Sequence, residues 1–434
     1  MQGGRVIGEG VDGCILTEPM WPCSSNSVKS GMPPLKSDKY VSKITHKEDN
    51  EDIYRTAAQN ILGPLANKYL TILESQCAPT DSRHPPLSHQ RGIYKSSQAS
   101  LLSWAPKGQA CGELKDIIKR GKPISDTHKV MYISRYNESV KDWLSTTRDS
   151  MNTLFQLTIP GVRPFLEILQ MLHQGRGDKL IHLDLHIGNI FVKRRPIQFG
   201  LTDFGHCLLR RASDTPEEQA RTYFGKYLCE YIVKYEMSKD YRQVPLEARL
   251  LNFCFRKNLE SVSPGSLVKA WEEDTRSIKR GSADLVIMEA KAITEHLLKK
   301  PLFIQMIETL QNISKKLKAF PESPVEVVQS LKPNETAVLE YILTRYNCIS
   351  PINSITEAIL MTNTSYLIEG DVSALVQSYI HGKKYFSSKL QPFIEFILEA
   401  IMAPYEQEGS SLSAAVTSVQ GGDIRIIWDA VVRS

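Results

Sequence analysis

Short runs of β-branched and apolar residues mark the amino-terminal part of the chain, and apolar positions at helical spacing dominate the remainder. Val6, Ile7 and Ile15 flank Gly8-Glu9-Gly10-Val11-Asp12-Gly13, which predicts two extended segments joined by a glycine turn. Tyr40-Val41-Ser42-Lys43 is a further β-like run. A helix is predicted from about Lys47 to Leu62, with Ile53, Ala57 and Ile61 at i, i+4 spacing as its buried face. Phe165, Leu166, Leu169, Met171, Leu172 and His173 form another helical pattern, which Gly175-Arg176-Gly177 ends just before Leu180-Ile181. Tyr223, Tyr227 and Tyr231 share one face of a predicted helix over 223–235 and read as core packing. Beyond about Ser238 the segments 283–298, 302–317 and 392–402 read as helices separated by Pro, Gly and Ser breaks.

The stretches 15–40 and 78–97, rich in Pro and polar residues, read as surface loops, which lengthen a chain at small entropic cost. Residues 407–422, rich in Ser and Gly, read as a linker before a short apolar end at 424–432. No internal repeat is present.

The chemistry concentrates in His182-Leu183-Asp184-Leu185-His186-Ile187-Gly188-Asn189 and, fourteen residues after Asn189, Asp203-Phe204-Gly205. An aspartate, an asparagine five residues on and a second aspartate meet the needs of magnesium-dependent phosphoryl transfer. One group must orient a nucleophile while the others offer hard oxygen ligands to the metal. The glycines of Gly8–Gly13 suit close backbone approach to phosphates, although this spacing alone also describes an ordinary hairpin.

In this order along the chain, the motifs resemble those of the eukaryotic-like protein kinase superfamily. The resemblance implies an α+β, bilobal fold: a small β-rich lobe over residues 1–134 with loop insertions, a large helical lobe over 135–320, and a helical continuation over 321–434. It implies ATP and Mg²⁺ as cofactors, held between lobes. Gly8, Glu9, Gly10, Val11, Asp12 and Gly13 would lie over the phosphates, with Ile15, Val41 and Phe191 around the adenine. Lys43 would meet the α- and β-phosphates, paired with an acidic residue of the next helix; Glu51 is favoured over Glu48. Asp184 takes the catalytic-base position, and Asn189 and Asp203 the metal positions. Residues 129–136 and 139–144 look like the family's fifth strand, hinge and first large-lobe helix, with backbone near Ser134 to Tyr136 at the adenine edge.

Departures from the pattern carry expectations of their own. Leu183 replaces the arginine that usually precedes the catalytic aspartate, so activity is expected not to depend on a phosphate at Ser213 or Thr215. His186 occupies the place of a phosphate-contacting lysine and supplies less charge. Thr215-Pro216-Glu217 resembles a relic of the closing Ala-Pro-Glu motif. Divergence of this kind is similar to that of serine/threonine kinases encoded by large DNA viruses. Protein serine or threonine hydroxyls are the expected acceptors. The rival readings are a kinase-like small-molecule phosphotransferase, which the His186–Asn189 run also resembles, a pseudokinase scaffold, and a zinc site built on His182, Asp184 and His186.

At 434 residues, 41% of them hydrophobic, the chain can bury a substantial core. A net charge of +5 from 53 basic and 48 acidic residues gives no argument for nucleic acid. Lys315-Lys316-Leu317-Lys318 reads as a solvated helix face. Eight cysteines without Cys-x-x-Cys spacing suggest reduced thiols. No signal-like segment and no run of about 20 apolar residues is present, since Glu395 and Glu399 interrupt the best candidate. The expectation is a soluble, intracellular protein, placed in host cytoplasm or nucleus, or in a virion, if viral.

Overall fold

Among the described residues six short strands build one sheet in the spatial order Leu73–Cys77, His128–Ser134, Tyr40–His46, Gly13–Thr17, Arg5–Glu9, Ser88–His89. The computed structural model describes residues 5–9, 13–17, 20–21, 23, 38–79, 88–89, 111, 114, 117, 120–147, 149, 151–174, 177–235, 244–276, 296–351, 354–355, 403–407 and 409–420. The chain divides into two compact units, Met1–Asn137 with Gly200–His206, and Glu138–Phe199 with Cys207–Ser434.

The sheet lies in the first unit. Its strands are β1 (Arg5–Glu9), β2 (Gly13–Thr17), β3 (Tyr40–His46), β4 (Leu73–Cys77), β5 (Ser88–His89) and β6 (His128–Ser134). β3 and β6 pair antiparallel from Tyr40 opposite Ser134 to His46 opposite His128. The two-residue period then sorts side chains onto two faces. Cys14, Leu16, Ile44, Val130 and Tyr132 cluster on one, with the fully buried Trp21. Val41, Met131 and Ile133 cluster on the other, with Ile15 and Leu73; Lys43, opposite Met131 and Ile15, shares that face. Trp21 donates its backbone N–H to the Ser42 hydroxyl at 2.8 Å, so the stretch read as a surface loop is anchored in the core at this point.

Helix α1 (Glu51–Leu62) follows β3, then a 3₁₀ turn (Gly63–Leu65) and the short helix α2 (Ala66–Tyr69). The buried face of α1 differs in part from the predicted one. Ala57 is buried and Ile61 partly buried, but Ile53 is exposed, and Glu51, Tyr54, Arg55, Ala58 and Leu62 are buried as well. The apolar spacing misleads because two charged residues point inward as an ion pair. The helix also starts later than predicted, because Asp49 accepts the Glu51 N–H at 2.9 Å and holds 47–50 as a turn.

Four cysteines of this unit form disulfides, Cys14–Cys111 with Cα atoms 5.1 Å apart and Cys23–Cys77 at 5.7 Å. The expectation of reduced thiols is corrected for these four, because cysteines brought together from 97 and 54 positions apart leave no spacing signature. Cys207, Cys229, Cys254 and Cys348 are buried and form no disulfide.

The second unit is mainly helical. Helix α3 (Val140–Thr146) opens with a capping box between Ser139 and Asp142, and α4 (Met151–Gln174) is the long helix whose apolar pattern the sequence displays. Strand β7 (Lys179–His182) pairs antiparallel with β10 (Cys207–Arg210), and β8 (Ile190–Arg194) with β9 (Ile197–Leu201). A capped turn, α5 (Pro216–Gln219), runs on into π-wound segments Ala220–Gly225 and Tyr227–Lys234. Then come α6 (Leu246–Lys257), α7 (Pro264–Arg276), α8 (Pro301–Ala319), α9 (Pro324–Ser330), α10 (Pro333–Cys348) and α11 (Leu412–Gln420). Every residue from Tyr341 to Cys348 of α10 is buried, which makes it the central core helix. Tyr223 and Tyr227 are buried as predicted from their spacing, and Tyr227 meets Tyr346 of α10 edge-on at 6.0 Å.

Helix α11 corrects the linker reading of 407–422. Leu412, Ala415 and Val416 are buried at i, i+3, i+4, and the Ser411 hydroxyl caps the helix by accepting the Ala414 N–H at 3.2 Å. The basic run 315–318 is also less solvated than predicted, with Lys316 paired to Glu335 and Lys318 to Glu260. Most of 283–298, and all of 392–402 and 424–432, lie outside the described residues. Among the described residues no helix is long and apolar enough to cross a membrane.

Cys14→Ser with Cys111→Ser should lower stability by about 2–4 kcal/mol, read by thermal denaturation under non-reducing conditions, with a smaller change when wild type is already reduced. His173 generates a second expectation. Its Nδ1–H donates to the Leu169 carbonyl at 2.9 Å, its Nε2 lies 3.8 Å from Cys348 Sγ, and burial pushes its pKa down to about 4. The unfolded chain therefore binds a proton that the folded one refuses as pH falls through the histidine range. Stability should drop by about 2 kcal/mol between pH 7 and pH 5 from this group alone. His173→Phe should flatten that part of a denaturant-midpoint profile.

Candidate active-site constellations

Strand β3 and helix α1 position the first constellation, within the first unit. Lys43 projects from the sheet face it shares with Val41, and its Nζ lies 2.5 Å from Glu51 Oε2 and 2.8 Å from Asp203 Oδ1. Glu51, at the start of α1, is fully buried, whereas Glu48 is exposed. The start of α1 is tied to β3 by the Thr45 hydroxyl, which donates to Asp49 at 2.5 Å, and to β6 by Lys129, 2.5 Å from Asp52. Burial alone would push the Lys43 ammonium down, but the Asp203 and Glu51 carboxylates outweigh it and hold it above the usual lysine range. Burial acts on Asp203 in the opposite sense and is likewise overridden. Lys43, with His206 and Arg55 adding to it, holds the carboxyl well below the usual carboxylate range.

Asp203 has φ of +54°, a left-handed conformation that aspartate tolerates at a small energetic cost. That conformation presents Oδ1 to Lys43 while Oδ2 remains for another cation. Gly13 at the start of β2 sits against the lysine: a Cβ there would fall 2.5 Å from Lys43 Cε and 3.2 Å from the Ile44 carbonyl. The lysine is pinned by two carboxylates and cannot step aside without losing one. Gly8 and Glu9 fall in β1, while Gly10, Val11 and Asp12 lie outside the described residues. Ile15 and Val41 belong to the cluster on the lysine face. At the end of β6, the Ser134 and Arg135 N–H groups donate to the Ile72 and Lys39 carbonyls, both at 2.8 Å, so an adenine edge there would meet carbonyls of this segment.

Arg55 is the residue that sequence reasoning missed. It is fully buried, ion-paired with Glu51, bonded to the Thr71 carbonyl and hydroxyl, and its guanidinium lies 4.9 Å from the Phe204 ring centroid. One signal existed, its i+4 position from Glu51.

The second constellation lies in the second unit, on the loop between β7 and β8. Asn189 donates from Nδ2 to the Asp184 carbonyl at 3.0 Å and to Asp184 Oδ2 at 3.2 Å. This fixes the carboxylate and turns the asparagine oxygen toward other partners. His186 closes the loop on itself: its Nδ1 accepts the Gly188 N–H at 2.9 Å, which leaves the proton on Nε2, 3.6 Å from Asp184 Oδ2. A Cβ at Gly188 would lie 2.7 Å from His186 Cε1. Leu183 is buried in the apolar core. His182 is fully buried and its Nδ1 accepts the Asp184 N–H at 3.2 Å, so its ring serves the loop and not a metal. Among the described residues no three His, Cys, Asp or Glu side chains converge as metal ligands, which removes the support for a zinc centre on this loop. Phe191 is buried in β8. Thr215 caps α5, its hydroxyl accepting the Glu218 N–H at 3.2 Å.

Asn189 falls in the second unit and Asp203 in the first, and the side-chain oxygen of each is a hard donor. No protein-family model matches the chain, and no curated protein matches its sequence.

Arg55→Met should strand Glu51 with a single cation and destabilise the protein by about 3–5 kcal/mol, measured by urea denaturation. Gly13→Ala should displace Lys43 from one of its carboxylates, lowering the melting temperature and weakening binding of a fluorescent ATP analogue.

Proposed function

We propose that the chain is an ATP-dependent protein kinase of the bilobal α+β type, transferring the γ-phosphoryl group to serine or threonine hydroxyls of proteins. The observation that carries this reading is the Lys43–Glu51–Asp203 constellation, in which the lysine and Glu51 are buried and Asp203 is partly exposed. A lysine held charged by two carboxylates is suited to grip phosphate oxygens, and a structural role alone gives little reason to bury a lysine and a glutamate beside a partly exposed aspartate.

In this reading Lys43 orients the α- and β-phosphates, with the β1–β2 turn over them. Asp203 and Asn189 would hold Mg²⁺, which neutralises charge on the phosphate oxygens when bound. Asp184, its carboxylate fixed by Asn189, accepts the proton of the attacking hydroxyl as the oxygen–phosphorus bond forms and ADP leaves. His186 keeps its Nε2–H on the Asp184 side of the loop, where it can donate one hydrogen bond without adding a full charge. Leu183 offers no guanidinium to an activation-segment phosphate, and Thr215 is already engaged as a cap. Both favour an enzyme active without such a phosphate.

Purified protein incubated with γ-labelled ATP, Mg²⁺, a protein mixture and a small-molecule panel should place label in protein. Label found only in small molecules would overturn the acceptor class. Asp184→Asn should lower kcat by about 10²–10⁴-fold with ATP binding retained. Asp203→Ala, or chelation of magnesium, should abolish transfer; transfer that survives both would overturn the reading.

A further inference from the structure

We propose that Asn347 and Ser354, in the carboxy-terminal part of the chain, are positioning residues for Asp184. The inference rests on the kinase reading and assigns a role to a region whose sequence carries no motif. Asn347, near the end of α10, is fully buried and uses both ends of its amide. Its Oδ1 accepts the His182 N–H at 2.9 Å, and its Nδ2 donates to the Leu180 carbonyl at 2.9 Å and the Leu169 carbonyl at 3.3 Å. One side chain therefore ties the last residues of β7 to helix α4. Ser354 donates its hydroxyl to the Leu185 carbonyl at 2.8 Å. Asp184 is thus held two residues after one anchor and one residue before the other.

The constraint passes through His182 to the reacting group. Its N–H is fixed by Asn347 and its ring accepts the Asp184 N–H. Farther along, the Lys141 N–H donates to the Ile187 carbonyl at 3.1 Å. The loop is suspended from α3 on one side and from α10 and Ser354 on the other. A buried amide with three hydrogen bonds is costly to mispair, because each lost partner leaves a desolvated backbone group. The carboxylate it positions must sit within hydrogen-bond reach of the acceptor hydroxyl, and displacement by about 1 Å lowers rates by up to about 10²-fold.

The full chain is tested as Asn347→Leu, Ser354→Ala and Ser354→Thr, each checked for a cooperative thermal transition. Asn347→Leu should lower kcat about 10–100-fold with KM for ATP within about twofold of wild type. The His182 and Asp184 amides should exchange with deuterium faster, while those of β3 and β6 stay protected. Ser354→Ala should lower kcat less, and Ser354→Thr, which restores the hydroxyl, should recover it. A folded Asn347→Leu with wild-type kcat and wild-type exchange at His182 overturns the proposal. If Asn347→Leu does not fold, Ser354→Ala decides alone: unchanged kcat and unchanged exchange at the Leu185–Ile187 amides overturn it. Wild-type protein without transfer activity overturns the kinase reading and this role with it, whereas active wild type with indifferent variants overturns the role alone.

Discussion

A buried lysine between two carboxylates is the constraint on which the first unit depends. Lys43 and Glu51 are almost completely out of water, and each would be costly to bury alone. Arg55 adds a second cation on the far side of Glu51, so the carboxylate bridges two positive groups. This arrangement dictates local structure around it. Gly13 must lack a side chain because Lys43 occupies the space, α1 must begin at Glu51, and Asp203 must take a left-handed backbone to reach the lysine. Replacing such a network by apolar side chains is often neutral or stabilising, so its presence points to chemistry that needs fixed charge.

The loop bearing Asp184 is held by different physics. Its anchors include neutral hydrogen bonds to backbone groups, from Asn189, His182, Asn347 and Ser354. Amide and hydroxyl partners fix the geometry of the loop without a buried charge of their own.

The sequence made the strands β1 to β3, β6 and β7 legible, because short β-branched runs bounded by glycine or polar residues have few alternatives. It also exposed part of α4 by its periodicity, and residues 139–144 as a helix by resemblance. Of the site, the two motif segments could be read directly, since their members lie within a few residues of one another. The features that escaped reading are non-local or inverted in polarity. The buried face of α1 carries Glu51 and Arg55, so a count of apolar residues selects the wrong stripe. The disulfides join residues 97 and 54 positions apart, and no spacing rule reaches that far. Helix α11 hides in Ser- and Gly-rich text because three small or aliphatic contacts at the right period suffice once α10 offers a surface.

Helix α10 shows why the carboxy-terminal region cannot be treated as an appendage. Its last two turns are buried on every side, and Arg345 there pairs with Glu247 of α6 at 3.4 Å while Tyr405 donates to the same carboxylate at 2.7 Å. A helix fixed by packing on all faces transmits little looseness to what it holds. Asn347 sits one turn or less from both Arg345 and Tyr346, so the amide that grips β7 is itself set by the core. The loop bearing Asp184 gains its rigidity from such a source, because its own glycine, histidine and asparagine contacts are local and turn with it. The distance in sequence between Asp184 and Asn347 is therefore the expected outcome of a design in which local bonds shape the loop and a remote core helix orients it.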